Sequence, residues 1–295
     1  MNDEEIDFED RYTGMEQAIE MIVNMRKYGT IDAPKRDEFG DRMKAYEKVY
    51  TSAKVNVDKV LCARIDGKGF SKFTKNFKKP FDDILSKVMV DTTRQLVKET
   101  HANVGYTQSD EITLIYAPGE KASEYIFGGK VSKINSILAS MAAANFNWFL
   151  NNANTAFKHG IGLAYFDCRA WAVPDLVEAS NVLLWRTQDA KKNSTSALFR
   201  WTAGHKAMNR LDQAGMKKYL LENKGVDWND LPNRYKYGTY IKPVTVESYL
   251  TEEELSHIPE AKRPINLLVK RTKIQEIDIG YFGDLTLEQR MEFIK

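Results

Sequence analysis

Residues 104–116 read VGYTQSDEITLIY, and the decision about the fold turns on them. Two runs of β-branched and aromatic residues, at about 103–107 and 111–117, predict two strands of a hairpin. The turn between them brings Asp110 and Glu111 side by side. Turn chemistry accounts for one acid in such a place, because aspartate hydrogen-bonds its own backbone. A second acid asks for a function, and the answer depends on a third carboxylate elsewhere.

Upstream, Val60, Leu61, Cys62, Ala63 and Ile65 form a mostly apolar run that predicts a central strand ending near Asp66. Gly67 and Gly69 stop it. Between this strand and the hairpin, Phe81, Ile84, Leu85, Val88, Met89 and Leu96 recur at helical spacing over about 81–100, with Asp82 or Asp83 as N-cap. Downstream, Gly128-Gly129 leads into a helix over 130–150 whose inward residues are Ile134, Ile137, Leu138, Met141, Phe146 and Phe149. The run GLAYFDCRAWAV, 162–173, reads as a fourth strand closed by Pro174.

The order is therefore β-α-β-β-α-β, an α+β class. It is the split βαβ arrangement shared by ferredoxin-like domains, RNA-recognition folds and polymerase palms. Helices over about 175–222 and strands at 238–246 and 265–274 extend it. A helix over 13–27, a linker over 28–40 broken by Gly29, Pro34 and Gly40, and a short helix over 41–50 precede it. The expected division is an N-terminal extension (1–38), a palm-like catalytic core (39–174) and a helical and β C-terminal extension (175–295).

Composition narrows the function classes. Hydrophobic residues at 43% and charged ones at 28% are ordinary for a globular protein, and a net charge of +2 supplies no global field toward nucleic acid. Any basic patch must be local. Cys62 and Cys168 form no CxxC pair and read as buried thiols. The four histidines have no zinc spacing. The first ten residues are acidic where a leader would be basic, and no apolar run approaches the ~18 residues of a membrane span. The expected setting is cytoplasmic, without membrane.

In a split βαβ sheet the first and third strands are central neighbours. Strand three starts at the edge where strand one finishes, so Asp66 and Asp110 are expected side by side; strand two is also expected antiparallel to strand one. Paired carboxylates repel, and a cation is the usual remedy. Hard oxygens suit Mg²⁺, which takes one or two carboxylates plus substrate phosphates. Gly67, without a side chain, opens its carbonyl to metal or phosphate.

The stretch GKGFSKFTKNFKKP adds Lys68, Lys72, Lys75, Lys78 and Lys79, interleaved with Phe70, Phe73 and Phe77. Two readings stand: lysines and turn amides that hold a triphosphate, or a solvated loop anchored by core aromatics. Lys130 and Lys133 sit where a helix N-terminus attracts anions. Trp148, Trp171, Trp185 and Trp201 lie in apolar patterns and read as core rather than as base-stacking platforms.

These segments in this order, RIDGKGFSKF (64–73), KKPFDD (78–83), GYTQSDEITL (105–114), SKINSILAS (132–140), FDCRAW (166–171) and LWRTQDAKKN (184–193), resemble the tRNA-His guanylyltransferase family. FGDRMKAYE, 39–47, is similar to the start of its bacterial, archaeal and phage relatives, the guanylyltransferase-like 3′-to-5′ RNA polymerases. The resemblance runs over about 39–278. It implies a polymerase-like palm with Asp66, the Gly67 carbonyl and Asp110 as ligands of two Mg²⁺, and Glu111 as acidic support.

It further implies a nucleotide-binding set of Lys68, Gly69, Phe70, Lys79, Asp82, Ser109, Ser132 and Lys133. Lys79 and Asp82 keep their places in the family's KPND segment, with Phe81 where it has asparagine. Arg169, Arg186, Asp189 and Asn193 are the implied RNA contacts, with Cys168 where the family's FDGR has glycine. Arg234, Tyr235, Lys236 and Tyr237 match a stretch of the RKG type and read as RNA contacts or as an amphipathic strand entrance. One departure bears on specificity. The eukaryotic HINNLYNT is here KKNSTSAL, 191–198, with Lys191 for its histidine and Ser196 for its tyrosine.

The implied activity is template-dependent addition of nucleotides to the 5′-end of a tRNA, as repair or as G addition to tRNA-His. ATP activates the 5′-phosphate, GTP or another NTP is added, and a homodimer or homotetramer is implied. Two other readings share the fold: a catalytically silent RNA-binding module and a nucleotidyl cyclase.

Overall fold

The computed structural model of the chain describes residues 36–118, 126–153, 162–204, 211–263 and 268–295. The helix expected over 13–27 and the linker residues 28–35 lie outside these. Residues 1–54 with 130–132 form one compact unit, and 55–129 with 133–295 form a larger one. In the smaller unit, helix α1 (Arg36–Thr51) begins inside the expected linker and runs through Gly40. An interior glycine costs a helix only about 1 kcal/mol relative to alanine, so it does not force a stop.

In the larger unit, β1 (Val60–Gly67) is followed by a single helical turn, α2 (Phe70–Phe73), which opens at Gly69 with a left-handed φ of 68°. Helix α3 (Asp83–Thr100) starts on Asp82, whose side chain accepts the Leu85 amide. Strands β2 (Val104–Gln108) and β3 (Glu111–Tyr116) are joined by the two-residue turn Ser109-Asp110. Helix α4 (Val131–Asn152) buries Ile134, Leu138, Ala142, Phe146 and Leu150, a stripe repeating every fourth residue. After β4 (Phe166–Val173) come α5 (Leu176–Ala203), α6 (Gln213–Lys224) and the short α7 (Asn233–Lys236). Strand β5 (Thr239–Tyr249), helix α8 (Glu252–Ser256), strand β6 (Leu268–Ile277) and helix α9 (Leu287–Ile294) complete the chain.

Among the described residues the strands form one sheet in the order β4-β1-β3-β2-β5-β6. Every neighbouring pair is antiparallel. β1 and β3 are thus central, as expected. Since β3 is antiparallel to both β1 and β2, those two run in the same direction, which corrects the expected orientation of strand two. The physical reason is α3: its 18 residues span about 27 Å, enough to return the chain so that β2 starts from the same end as β1. The expected C-terminal strands join the same sheet, with Gly105, Tyr106 and Thr107 paired to Ile241, Tyr240 and Thr239.

Alternation along the strands sends side chains to two faces. On one face α3 lies so close that a Cβ on Gly105 would meet Val97 Cγ2 at 2.5 Å. On the other, Val60, Cys62, Tyr106 and Ile115 pack with Ala179, Val182 and Leu183 of α5 and with Phe282 and Ile294. Arg64 and Asp66 share the parity of Val60 and Cys62, so they point to the α5 face. Cys62 and Cys168 are free thiols, and burial pushes each up to about 12. Among the described residues no helix is long and apolar enough to cross a membrane.

Candidate active site

The site grows from the register of the central strands. Asp66 pairs with Glu111 across β1–β3 and with Asp167 across β1–β4, so three acids stand in one cross-strand row. The Gly67 amide donates to the Asp110 carbonyl at 3.0 Å, clipping the hairpin turn to the end of β1. This is how two aspartates 44 positions apart in sequence come together. A cleft of about 560 Å³ has Asp66, Ser109, Asp110 and Glu111 in its wall.

The turn residue Ser109 holds a left-handed φ of 57°, a region where non-glycine residues are uncommon. Its hydroxyl donates to Asp110 Oδ1 at 3.0 Å, so the strained residue also aims the carboxylate. Burial pushes the Asp110 carboxyl above its ordinary range; the Ser109 hydrogen bond pulls it down, and the neighbouring Asp66 pushes it up again. That mutual repulsion is what an incoming cation would relieve.

Glu111 has a different partner. Burial raises its carboxyl first, and Arg186 and Arg64 counter that. Arg186 Nη2 donates to Glu111 Oε2 at 2.8 Å, and Arg186 Nη1 donates to Asp189 Oδ2 at 2.7 Å. The Arg186 and Glu111 side chains are only 10% and 15% exposed, which makes this a largely desolvated pair. Arg64 Nε stands 3.9 Å from the same carboxylate. Of the expected RNA contacts, Arg186 therefore reaches the cleft wall and holds Glu111, and Asp189 holds Arg186 from the other side. Asn193, one helical turn further along α5, lines the cleft.

Of the expected nucleotide set, Asp82 and Ser109 line the cleft. Phe70 is 4% exposed, its ring packed with Phe73, Phe146 and Phe166, so its side chain is spent on the core. A Cβ on Gly67 would sit 2.3 Å from that ring, so glycine is required there for packing as well. Lys68 and Gly69 are exposed, and the Lys68 amide donates to the Tyr165 carbonyl at 2.8 Å. Asp82 lines the cleft, but its two oxygens accept the Leu85 amide at 2.9 Å and the Lys78 amide at 3.0 Å. Lys79 Nζ donates to Thr74 Oγ1 at 3.3 Å and lies 6.0 Å from the Trp201 ring centroid. Ser132 belongs to the smaller unit, on the first turn of α4. Lys133 lies over the Phe127 ring at 5.7 Å, and Arg169 is 3.5 Å from Asp167.

Four features were missed or misread from sequence. Asp167 joins the acidic row, a position visible only once β4 is placed beside β1. Trp148, Trp185 and Trp201, expected in the core, are 61%, 44% and 57% exposed. Each lies in an apolar sequence pattern but on an outward helix position; Trp185 is faced by the Arg186 guanidinium at 4.5 Å. The segment 233–236 is a helical turn rather than a strand entrance. From it, Tyr235 stacks on Phe81 at 4.6 Å, and both line the cleft with Arg234. Arg200, opposite in charge to the acidic wall, lines the cleft too.

Residues 40–174 match the family model described as Thg1, tRNAHis guanylyltransferase. A bacterial tRNA(His) guanylyltransferase (Thg1)-like protein solved in complex with ATP is 36% identical, with 69% of this chain and 88% of that chain covered and a TM-score of 0.65. One solved in complex with GTP is 29% identical, with 87% and 99% covered and a TM-score of 0.64. An uncharacterized protein of Acanthamoeba polyphaga mimivirus is 32% identical over 232 residues, 72% of this chain and 79% of its own length.

Proposed function

Because this chain belongs to the tRNAHis guanylyltransferase (Thg1) family of nucleotidyltransferases, we propose that it extends the 5′-end of a tRNA in the 3′-to-5′ direction, with the opposite strand as template. The observation that carries the reading is the meeting of Asp66 and Asp110 in the cleft wall, where burial and then the Asp66 charge raise the Asp110 carboxyl. The sheet order supports a polymerase-like palm as its frame.

The donor set fits Mg²⁺. Asp66, Asp110 and the Gly67 carbonyl are hard oxygens, and no cluster of three acidic, histidine or cysteine side chains among the described residues is placed to hold an ion unaided. Such a site takes the rest of its ligands from water and nucleotide phosphates. When bound, a pair of ions lowers the pKa of an attacking hydroxyl and neutralises charge on the leaving oxygen.

A 5′-monophosphate first attacks ATP, forming a 5′-adenylylated end and releasing pyrophosphate; an end that arrives triphosphorylated skips this step. The 3′-hydroxyl of the incoming NTP then attacks the 5′-terminal phosphorus. A phosphodiester forms, and AMP, or pyrophosphate in the second case, departs. Asp66 and Asp110 orient both reactants, and Ser109 fixes the second carboxylate. Glu111, held by Arg186 and Arg64, keeps the wall rigid and acidic. Arg200, with the Phe81–Tyr235 stack, offers charge and an aromatic edge to the nucleotide or RNA in the cleft, while Arg234 is paired with Asp83 at 2.8 Å.

With Lys191 and Ser196 in place of the histidine and tyrosine of HINNLYNT, restriction to tRNA-His is not part of the proposal. A cytoplasmic homodimer or homotetramer is. The test offers 5′-truncated tRNAs of several kinds with ATP, Mg²⁺ and all four NTPs. Templated restoration of several tRNAs is expected; a single G added to tRNA-His alone would overturn the repair reading, and GTP cyclisation without RNA would overturn the whole.

A further inference from the structure

Three lysines from three helices converge beside the cleft rather than in it. Lys191 is on α5, Lys217 on α6 and Lys236 on α7. Lys217 Nζ lies 3.1 Å from the centroid of the Trp228 ring, and Lys236 Nζ lies 5.6 Å from the same ring. Lys191 Nζ stands 4.6 Å from the Tyr281 centroid. The rings are contiguous: Trp228 to Tyr237 is 5.7 Å and Tyr237 to Tyr281 is 5.4 Å. All three lysines are half-buried along this aromatic floor.

Among the described residues, none of the three lysines is in an ion pair with a carboxylate. Asp227, which also accepts the Asn229 amide at 2.8 Å, attracts Lys217 by less than burial and the two neighbouring lysines oppose its charge. Lys236 donates to the Asn229 carbonyl at 2.8 Å, a neutral acceptor. Burial pushes the Lys217 ammonium down to about 8, and Lys191 and Lys236 push it the same way. Aromatic faces hold ammonium groups by their quadrupoles, which explains how like charges stay together without an anion of the protein's own.

The floor borders the catalytic cleft. Trp228 Nε1 donates to Ser194 Oγ at 3.1 Å, and Ser194 lines the cleft. Arg234 and Tyr235, immediately before Lys236, line it as well. We propose that Lys191, Lys217 and Lys236 form an anion site that grips backbone phosphates of the tRNA next to the cleft, without regard to base sequence. This rests on the function proposed above. Ammonium groups are point charges suited to phosphate oxygens, and contacts of that kind position a nucleic acid without reading it.

The test measures binding of two 5′-truncated tRNA transcripts of unrelated sequence to the full chain over a salt series. Wild type is compared with Lys217→Gln and with the triple variant Lys191→Gln, Lys217→Gln, Lys236→Gln. Both tRNAs are expected to bind the triple variant more weakly by the same factor, with a log–log salt slope shallower by roughly three, one per lysine. Lys217→Gln alone is expected to lower the slope by about one. GTP binding is expected to be unchanged. Unchanged affinity and slope in both variants would overturn the proposal, as would a loss confined to one tRNA, or a wild type that binds inorganic phosphate but no RNA. Nucleotide transfer assayed alongside separates the two readings. A wild type that binds tRNA through these lysines without transferring nucleotides sinks the proposed function and leaves the phosphate grip standing.

Discussion

The Gly67 amide donates to the Asp110 carbonyl at 3.0 Å, and this one bond joins the end of the first strand to the hairpin turn. Around it the chain has no spare room: Phe70 closes over Gly67, and the Gly67-Asp110 bond sets how near Asp66 and Asp110 stand. Gly67→Ala would place a methyl group 2.3 Å from the Phe70 ring. A loss of about 1–3 kcal/mol in urea unfolding is expected from such overpacking. Combining it with Phe70→Leu should recover part of the stability. Wild-type stability in Gly67→Ala would show that the ring is free to move.

Arg186 and Glu111 form the pair that lets a second acid sit in the wall. Arg186→Met leaves Glu111 largely buried without its principal partner, and a loss of about 3–5 kcal/mol is expected. Adding Glu111→Gln should restore most of it. The measurement is a double-mutant cycle by urea denaturation; two independent losses that simply add would refute the coupling.

Lys217 makes stability depend on pH in a definite direction. Its folded pKa is down at about 8 against an ordinary 10.5, so between these values the unfolded chain carries a proton that the folded chain lacks. Stability from this group therefore rises as pH increases from about 8 to 10.5 and is absent below. Lys217→Gln should remove that rise while leaving the rest of the pH profile unchanged. Thermal midpoints taken across the range decide it, and an identical rise in the variant would contradict the assignment.

Much of this was legible in sequence because it was local or periodic. The apolar run before Asp66, the helical spacing from Phe81 to Leu96 and the Asp82 cap predicted the elements, and their order predicted that Asp66 and Asp110 meet. What was not legible depended on register or on outward orientation. Asp167 is an unremarkable acid until β4 lies beside β1. Arg186 reaches Glu111 from 75 positions away, a pairing that no local pattern encodes. Trp201 and Trp185 look like core residues because their neighbours are apolar, yet helix phase turns them outward. Phe70 is a core ring, as the reading of its loop as one anchored by core aromatics expects.

The most direct test of the account is the rate at which Asp110→Asn adds GTP to the 5′-end of a tRNA lacking its first nucleotide, with ATP and Mg²⁺ present. The variant loses a buried charge that Asp66 repels, so its thermal midpoint should be no lower than that of the wild type. With the fold retained, no product is expected from the variant under conditions where wild type completes the addition. Transfer at the wild-type rate by a folded Asp110→Asn would contradict the claim that Asp66 and Asp110 together carry the chemistry.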